Sequence, residues 1–478
     1  MTARVQRLPG AGRDRATGAL VPLAERAAVR WADRADGGLG WMALALALAS
    51  LVPIGSNVPV AWLGLAIAAT AAFALRLLLD LANPLPPPVR RGLVLPTAIL
   101  LAVGGWAAAQ LHGPAPAAWH HPAWSWVDGE GAIAVDPTAG RHFLSRLLAY
   151  AMLFALVLRA ALDERRARRF VRVVAAWTGA VALYAIVAFV AGTNPITGAM
   201  ADVATGPLVN RNHYATYAGI GMLASVAALV LGMERATSAG GPRHQRLRAA
   251  LNGAVAGGWL FGLCALVNVG ALTLTQSRGG AVAAVAGLVT FLVLLRRGGA
   301  SGRAGVALLG VAIAVLVAAS AGLGSTVARF VSSDVAGSRD EVYRAVVGAI
   351  LERPLLGVGL GGFTDAFRAH VPASADVGVW DAAHNSYLEN IMELGLPAAV
   401  ALYGALALLL MRLWKGAGER RSTVLPAFAL GVGVLAGIHS WVDFSLQIPA
   451  VASLFAVVLA IGHAQSHGHR DRIGGCPQ

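Results

Sequence analysis

The chain of 478 residues is 57% hydrophobic and only 13% charged, where a soluble domain carries about a quarter charged residues. Its formal charge of +14 is almost wholly arginine, with Lys415 the only lysine. In a soluble protein that balance would suggest nucleic acid, but here apolar runs of about 20 residues recur, so loop arginines read as topology determinants and no nucleic-acid partner is expected. Short alternating segments are missing, which excludes a barrel and leaves an all-α polytopic membrane protein.

Residues 1–38 hold seven arginines and no apolar core suited to a cleavable signal. They read as a basic cytoplasmic tail, with a helix over residues 17–34 lying on the inner leaflet through the stripe of Arg26, Arg30 and Arg34. About twelve spans follow, near 39–55, 59–80, 92–111, 142–160, 173–192, 213–232, 254–276, 280–295, 304–323, 386–411, 424–441 and 446–463. The bundle of spans one to nine covers 39–323, a large periplasmic loop covers 324–385, spans ten to twelve cover 386–463, and 464–478 is a cytoplasmic tail. With both termini inside, "PPPVRR", "DERRARRFVR", "RRGGASGR" and "RLWKGAGERR" all fall in the cytoplasm, and the arginine-poor loops fall outside. The two cysteines, Cys264 in an apolar run and Cys476 in the tail, form no framework, and His463, His467 and His469 match no zinc spacing.

Arginines on the outer side run against that bias. Arg211 in "NRNHYATY", Arg278 in "TQSRGG", and Arg339, Arg344 and Arg353 in "SRDEVYRAVVGAILERP" either snorkel to outer phosphates or converge on an anion such as a diphosphate. The last segment is predicted as a short helix capped by Ser338 and Glu341 and stopped by Pro354. "GVGLGG" (357–362) fits a dinucleotide fingerprint by letter only, since no strand precedes it, and reads as a flexible turn. In "DAAHNSYLENIMELGLP", Asn385, Glu389 and Glu393 fall on one helix stripe, with the outer arginines as the expected partners of the two acids. His384 at the rim is either part of a polar cap or a base for a hydroxyl proton, because imidazoles titrate near neutrality. His439 and Asp443, at i and i+4 in "HSWVDF", read as a helix-end lock or a supporting pair. Trp119, Trp124 and Trp126, with His120 and His121, form either an aromatic belt or a sugar-stacking surface.

The stretch "HNSYLENIMELGLPA" resembles the signature of the O-antigen ligase and O-antigen (exopolysaccharide) polymerase superfamily, with His384, Asn385 and Gly395 in register and Ala398 where a second glycine is usual. "GPLVNRNHYATYAGIG", "LTQSRGG", "ERPLLGVGLGGF" and "HSWVDF" are similar to further blocks of that superfamily, in the same order over about 200–450. The resemblance implies a GT-C-like glycosyltransferase of the bacterial inner membrane with a periplasmic active site. It implies an undecaprenyl-diphosphate-linked glycan as donor and a glycan or glycolipid as acceptor, with membrane lipids around it and without metal, nucleotide sugar or other cofactor. His384 would be the base. Arg211 and Arg278, with Arg339 and Arg344 from the loop, would hold the diphosphate, supported by Asn210, Asn212, Asn385, Tyr387 and Glu389. Polymerisation is favoured over ligation. A flippase or anion transporter is the alternative, though its charged groups belong near the midplane between matching halves, which are not visible here.

Overall fold

The computed structural model describes residues 23–80, 84–113, 115–127, 130–237, 258–297, 334–372, 380–418 and 423–467. In chain order its helices are α1 (Leu23–Ala49), α2 (Pro59–Asp80), α3 (Pro87–Gln110), α4 (Pro137–Ala160), α5 (Glu164–Ala191), α6 (Arg211–Thr237), α7 (Trp259–Leu274), α8 (Arg278–Arg297), α9 (Asp334–Glu352), α10 (Phe363–Phe367), α11 (Ser386–Leu394), α12 (Leu396–Gly418), α13 (Val424–His439) and α14 (Pro449–Gln465), joined by turns and short 3-10 segments. Seven of them (α2 to α6, α8 and α12) are long and apolar enough to cross a membrane, and α7, α13 and α14 are shorter apolar helices. This all-helical architecture is consistent with a polytopic membrane protein. The expected span at 304–323, the start of the interfacial helix at 17–22, His469 and Cys476 lie outside the described residues.

Local chemistry sets the helix ends. Asp136 caps α4 by accepting from the Thr138 and Ala139 amides at 2.8 and 3.1 Å, and Asp163 caps α5 through the Arg166 amide at 2.7 Å. The expected interfacial helix and first span run together as one helix, α1, whose Gly40 lets it press on Ala160 of α4. α9 also starts before Ser338, so that serine lies inside the helix and does not cap it.

Among the seven long apolar helices α6 is the most enclosed, and it packs against α5, α7, α8 and α13. α8 and α13 cross with backbone near backbone: a Cβ on Gly431 would stand 2.7 Å from the Gly287 carbonyl oxygen. Without a hydrophobic drive between helices in lipid, such small-residue contacts carry association. At the end of the bundle that the arginine bias puts inside, Asp36 of α1 pairs with Arg76 of α2 and with Arg159 of α4, the latter at 2.9 Å.

The expected span at 386–411 is broken. Gly395, at φ 78°, ends α11 and turns the chain into α12, and a Cβ there would stand 2.2 Å from the Leu355 carbonyl oxygen. The carbonyls left at the end of α11 find donors elsewhere: Trp106 Nε1 to Leu394 at 2.8 Å, Gln110 Nε2 to Glu393 at 3.0 Å, and the Val358 and Gly359 amides to Met392 and Glu393 at 2.9 and 3.0 Å. The 357–362 segment is therefore a buried, hydrogen-bonded turn, not the flexible one expected; its role is to close a helix end.

Replacing Gly431 with leucine should separate α8 from α13 and cost about 2 kcal/mol or more. Thermal unfolding in detergent checks this, and an unchanged transition would contradict the close crossing.

Candidate functional site

One end of the bundle gathers the starts of α6, α8, α11 and α14 with the end of α13. The positions where Gly279 and Gly280 would carry a Cβ lie 3.3 Å from His439 Cδ2 and 2.5 Å from Ala215 Cβ, so the start of α8 is wedged between α13 and α6. Arg278 opens α8 and is half-buried. Arg211 opens α6 and is exposed, and the Asn210 side chain caps that helix by accepting from the Asn212 amide at 2.8 Å.

The turn after α13 carries Asp443, with none of its surface exposed. His384 Nδ1 stands 3.8 Å from its Oδ1, and His213 Nε2 stands 3.7 Å from its Oδ2. Both separations exceed a hydrogen bond, yet both are close enough for charge to act in a dry site. The Ser445 hydroxyl donates to Asp443 Oδ2, the Thr216 hydroxyl donates to Ser445 Oγ at 2.9 Å, and His439 Nδ1 meets Thr216 Oγ1. Since Thr216 has one proton to give, His439 must donate through Nδ1 to complete this row, so the row points from His439 to the carboxylate. Burial opposes charge on Asp443, but His384, then His213 and His439, with the Ser445 hydroxyl, outweigh it and hold the carboxyl below its ordinary range.

His384 has a left-handed backbone, φ 50°, uncommon for a residue with a Cβ. Its carbonyl oxygen accepts from the Tyr343 hydroxyl at 3.1 Å, and Asn385 next to it caps α11 through the Tyr387 and Leu388 amides at 3.0 and 3.1 Å. The ring stands edge-on to Phe444 and Trp380, at 5.0 and 6.3 Å. Its Nδ1 is buried while 24% of the side chain is exposed, so the accessible edge carries Nε2. Strain held in place by surrounding contacts is common at functional sites.

Among the described residues the acids of α11 meet backbone amides and Gln447 rather than the expected arginines. Glu389 accepts from the Ala383 amide at 2.9 Å and from Gln447 Nε2 at 2.7 Å, and Glu393 accepts from the Phe363 amide at 3.2 Å. Loop amides and the Gln447 side chain donate to both carboxyls. Tyr387 donates to the Gly437 carbonyl at 2.7 Å and so ties α11 to α13. Arg344 is exposed on α9, and the side chain of Arg339 lies outside the described residues. Arg353 takes a structural role, clamping the carbonyls of Trp119, His120 and Gly357. That clamp holds the tryptophan loop, where Trp126 is 88% exposed and where burial, followed by Arg353 and His370, lowers the His121 pKa to about 4. His439 and Asp443 serve the His384 cluster rather than locking a helix end to itself. Sequence reading passed over His213, Thr216, Ser445 and Phe444; a histidine two residues beyond Arg211, with a threonine on the next turn, was the available signal.

Replacing Glu389 with methionine should strand the buried amide of Ala383 at about 1–3 kcal/mol, leave the half-buried Gln447 side chain without its acceptor, and loosen the 381–385 turn. Hydrogen exchange at Ala383 reads this directly, and unchanged protection would contradict the anchoring role.

No curated protein matches the chain. Residues 263–403 match the family model Wzy_C, described as O-antigen ligase. The matched segment includes Arg278, Arg339, Arg344 and His384 and leaves out His213 and Asp443. The match supports the resemblance carried by the histidine motif; it begins within α7 and ends in the first turns of α12.

Proposed function

We propose that the protein is a glycosyltransferase of the bacterial inner membrane, with both termini in the cytoplasm and the His384 cluster on the periplasmic face. The donor is a glycan on undecaprenyl diphosphate and the acceptor is a hydroxyl of a second glycan or glycolipid. The observation that carries this reading is a strained, half-accessible imidazole facing a buried carboxylate, beside two helix starts that each bring an arginine.

In the reaction, His384 Nε2 takes the acceptor hydroxyl's proton as the oxygen bonds to the donor's anomeric carbon. The bond from that carbon to the diphosphate oxygen breaks, and Arg211 and Arg278, with Arg339 and Arg344 from the loop side, take up the charge growing on the leaving group. Attack opposite the leaving group inverts the anomeric centre. Asp443 stabilises the imidazolium through Nδ1 and keeps Nε2 free for the acceptor, as an orienting carboxylate does for other imidazole bases. Asn210, Asn212 and Asn385 belong to the helix starts around this centre, and Tyr387 and Glu389 hold α11 against its neighbours. The arginine asymmetry of the loops supports the orientation. Among acceptors, polymerisation of lipid-linked glycans remains our choice on the "VNRNHYATY" block, against ligation, which the matched family's description favours.

Purified protein mixed with a lipid-linked glycan and acceptor should form the new glycosidic bond. His384→Ala should abolish transfer at unchanged melting, and Asp443→Asn should slow it about 100-fold while lowering the melting temperature. Full activity in His384→Ala would remove the base assignment, and movement of lipid-linked glycan across vesicles without bond formation would favour a flippase. In a deletion strain, loss of chain length marks polymerisation, and accumulated long lipid-linked chains mark ligation.

A further inference from the structure

A second polar cluster lies on other helices and is not used by the proposed chemistry. Arg146 of α4 lies over the rings of Trp62 in α2 and Phe143 in its own helix, at 5.0 and 5.1 Å. His142, one turn earlier on the same stripe, has its ring 5.0 Å from Trp62, and Tyr150 continues the stripe one turn later. Trp62 is only 3% exposed, yet its Nε1 donor has no partner; neither do Arg146 Nε and the Tyr150 hydroxyl, all three atoms being buried. Three buried donors on neighbouring positions thus lack an acceptor among the described residues, and one belongs to a fixed cation.

The cluster sits at the same end of the bundle as His384. The turn before α2 places Gly55 against Leu208 and Ile448, which adjoin the starts of α6 and α14. Trp62 lies in the first turn of α2, and Arg146 is deeper along α4 but leans back toward its start, as long helical side chains do. A guanidinium at that level of a membrane protein needs an anion or water. Aromatic faces lower its energy but accept no hydrogen bond in the plane of the fork. Val60, Leu63 and Ile67 of α2 are exposed apolar side chains beside the cluster and offer a surface to acyl chains.

We propose that Arg146, Trp62 and Tyr150 form a binding site for the phosphate of a lipid headgroup, with the lipid's chains against α2. The guanidinium gives charge-assisted donors to the phosphate oxygens, and the indole N–H and phenol O–H add neutral ones. A lipid is chosen over a soluble phosphate because the donors adjoin an outward apolar helix. This site stands on its own observations and is independent of the reaction at His384.

The test is retention of phosphatidylglycerol by delipidated protein in detergent, read by native mass spectrometry against diacylglycerol of the same chains and with inorganic phosphate as competitor. Wild type should retain the phospholipid and not the diacylglycerol, and excess inorganic phosphate should fail to displace it. Arg146→Gln should weaken retention about tenfold or more, and Tyr150→Phe, which removes one oxygen and keeps the ring, should weaken it several-fold at unchanged melting. Equal retention by Tyr150→Phe and wild type would overturn the proposal even if Arg146→Gln fails to fold. Retention of diacylglycerol, or displacement by inorganic phosphate, would also overturn it. Transfer activity is a separate readout, so loss of one leaves the other standing.

Discussion

A carboxylate with no exposed surface cannot remain charged at the end of a helix bundle unless other groups come to it. Asp443 meets that constraint with two imidazoles facing its two oxygens and a directed row of hydroxyls behind Oδ2. The surrounding architecture follows from this. α6 contributes His213 and Thr216, α13 contributes His439, the turn before α14 contributes Asp443 and Ser445, and the turn before α11 delivers His384. Three stretches distant in sequence, 213–216, the turn at 384 and 439–445, are thereby fixed to one point. Phe444 stands edge-on to both His213 and His384.

The two ends of the bundle use charge differently. Asp36 is paired directly with two arginines, a compact arrangement that holds α1, α2 and α4 together. At the His384 end the acid meets imidazoles and hydroxyls, and the arginines open helices at the rim. A direct arginine pair would neutralise Asp443 and leave little for a proton-accepting ring. An imidazole partner keeps the carboxylate's field on a group that can change its protonation state. Backbone rigidity supports this on the other side: the buried glycine turn closes the end of α11, and α11 sets the position of His384 through Asn385.

Much of the architecture was legible because apolar runs and arginine asymmetry are local signals. The helical segments from 59–80 to 213–232 appear near their expected places, and His384 stood out as a histidine at the mouth of an apolar helix. "ELGLP" carries the break at Gly395, but apolar character continues on both sides and makes the stretch resemble one span. The partners of Glu389 and Glu393 were misjudged for another reason. A backbone amide has no letter of its own, so pairing acids with the nearest arginines by side chemistry favoured the wrong donors. The meeting of His213 with Asp443 spans most of the second half of the chain, and no periodicity in either segment encodes it.

The most direct measurement is an experimental structure of the protein trapped with a lipid-linked glycan donor and an unreactive acceptor. The acceptor oxygen is expected within hydrogen-bonding distance of His384 Nε2, with the diphosphate against the helix starts of Arg211 and Arg278. A diphosphate seated at the opposite end, near Asp36, Arg76 and Arg159, or an acceptor turned away from the imidazole, would contradict the role given to the buried carboxylate and its ring.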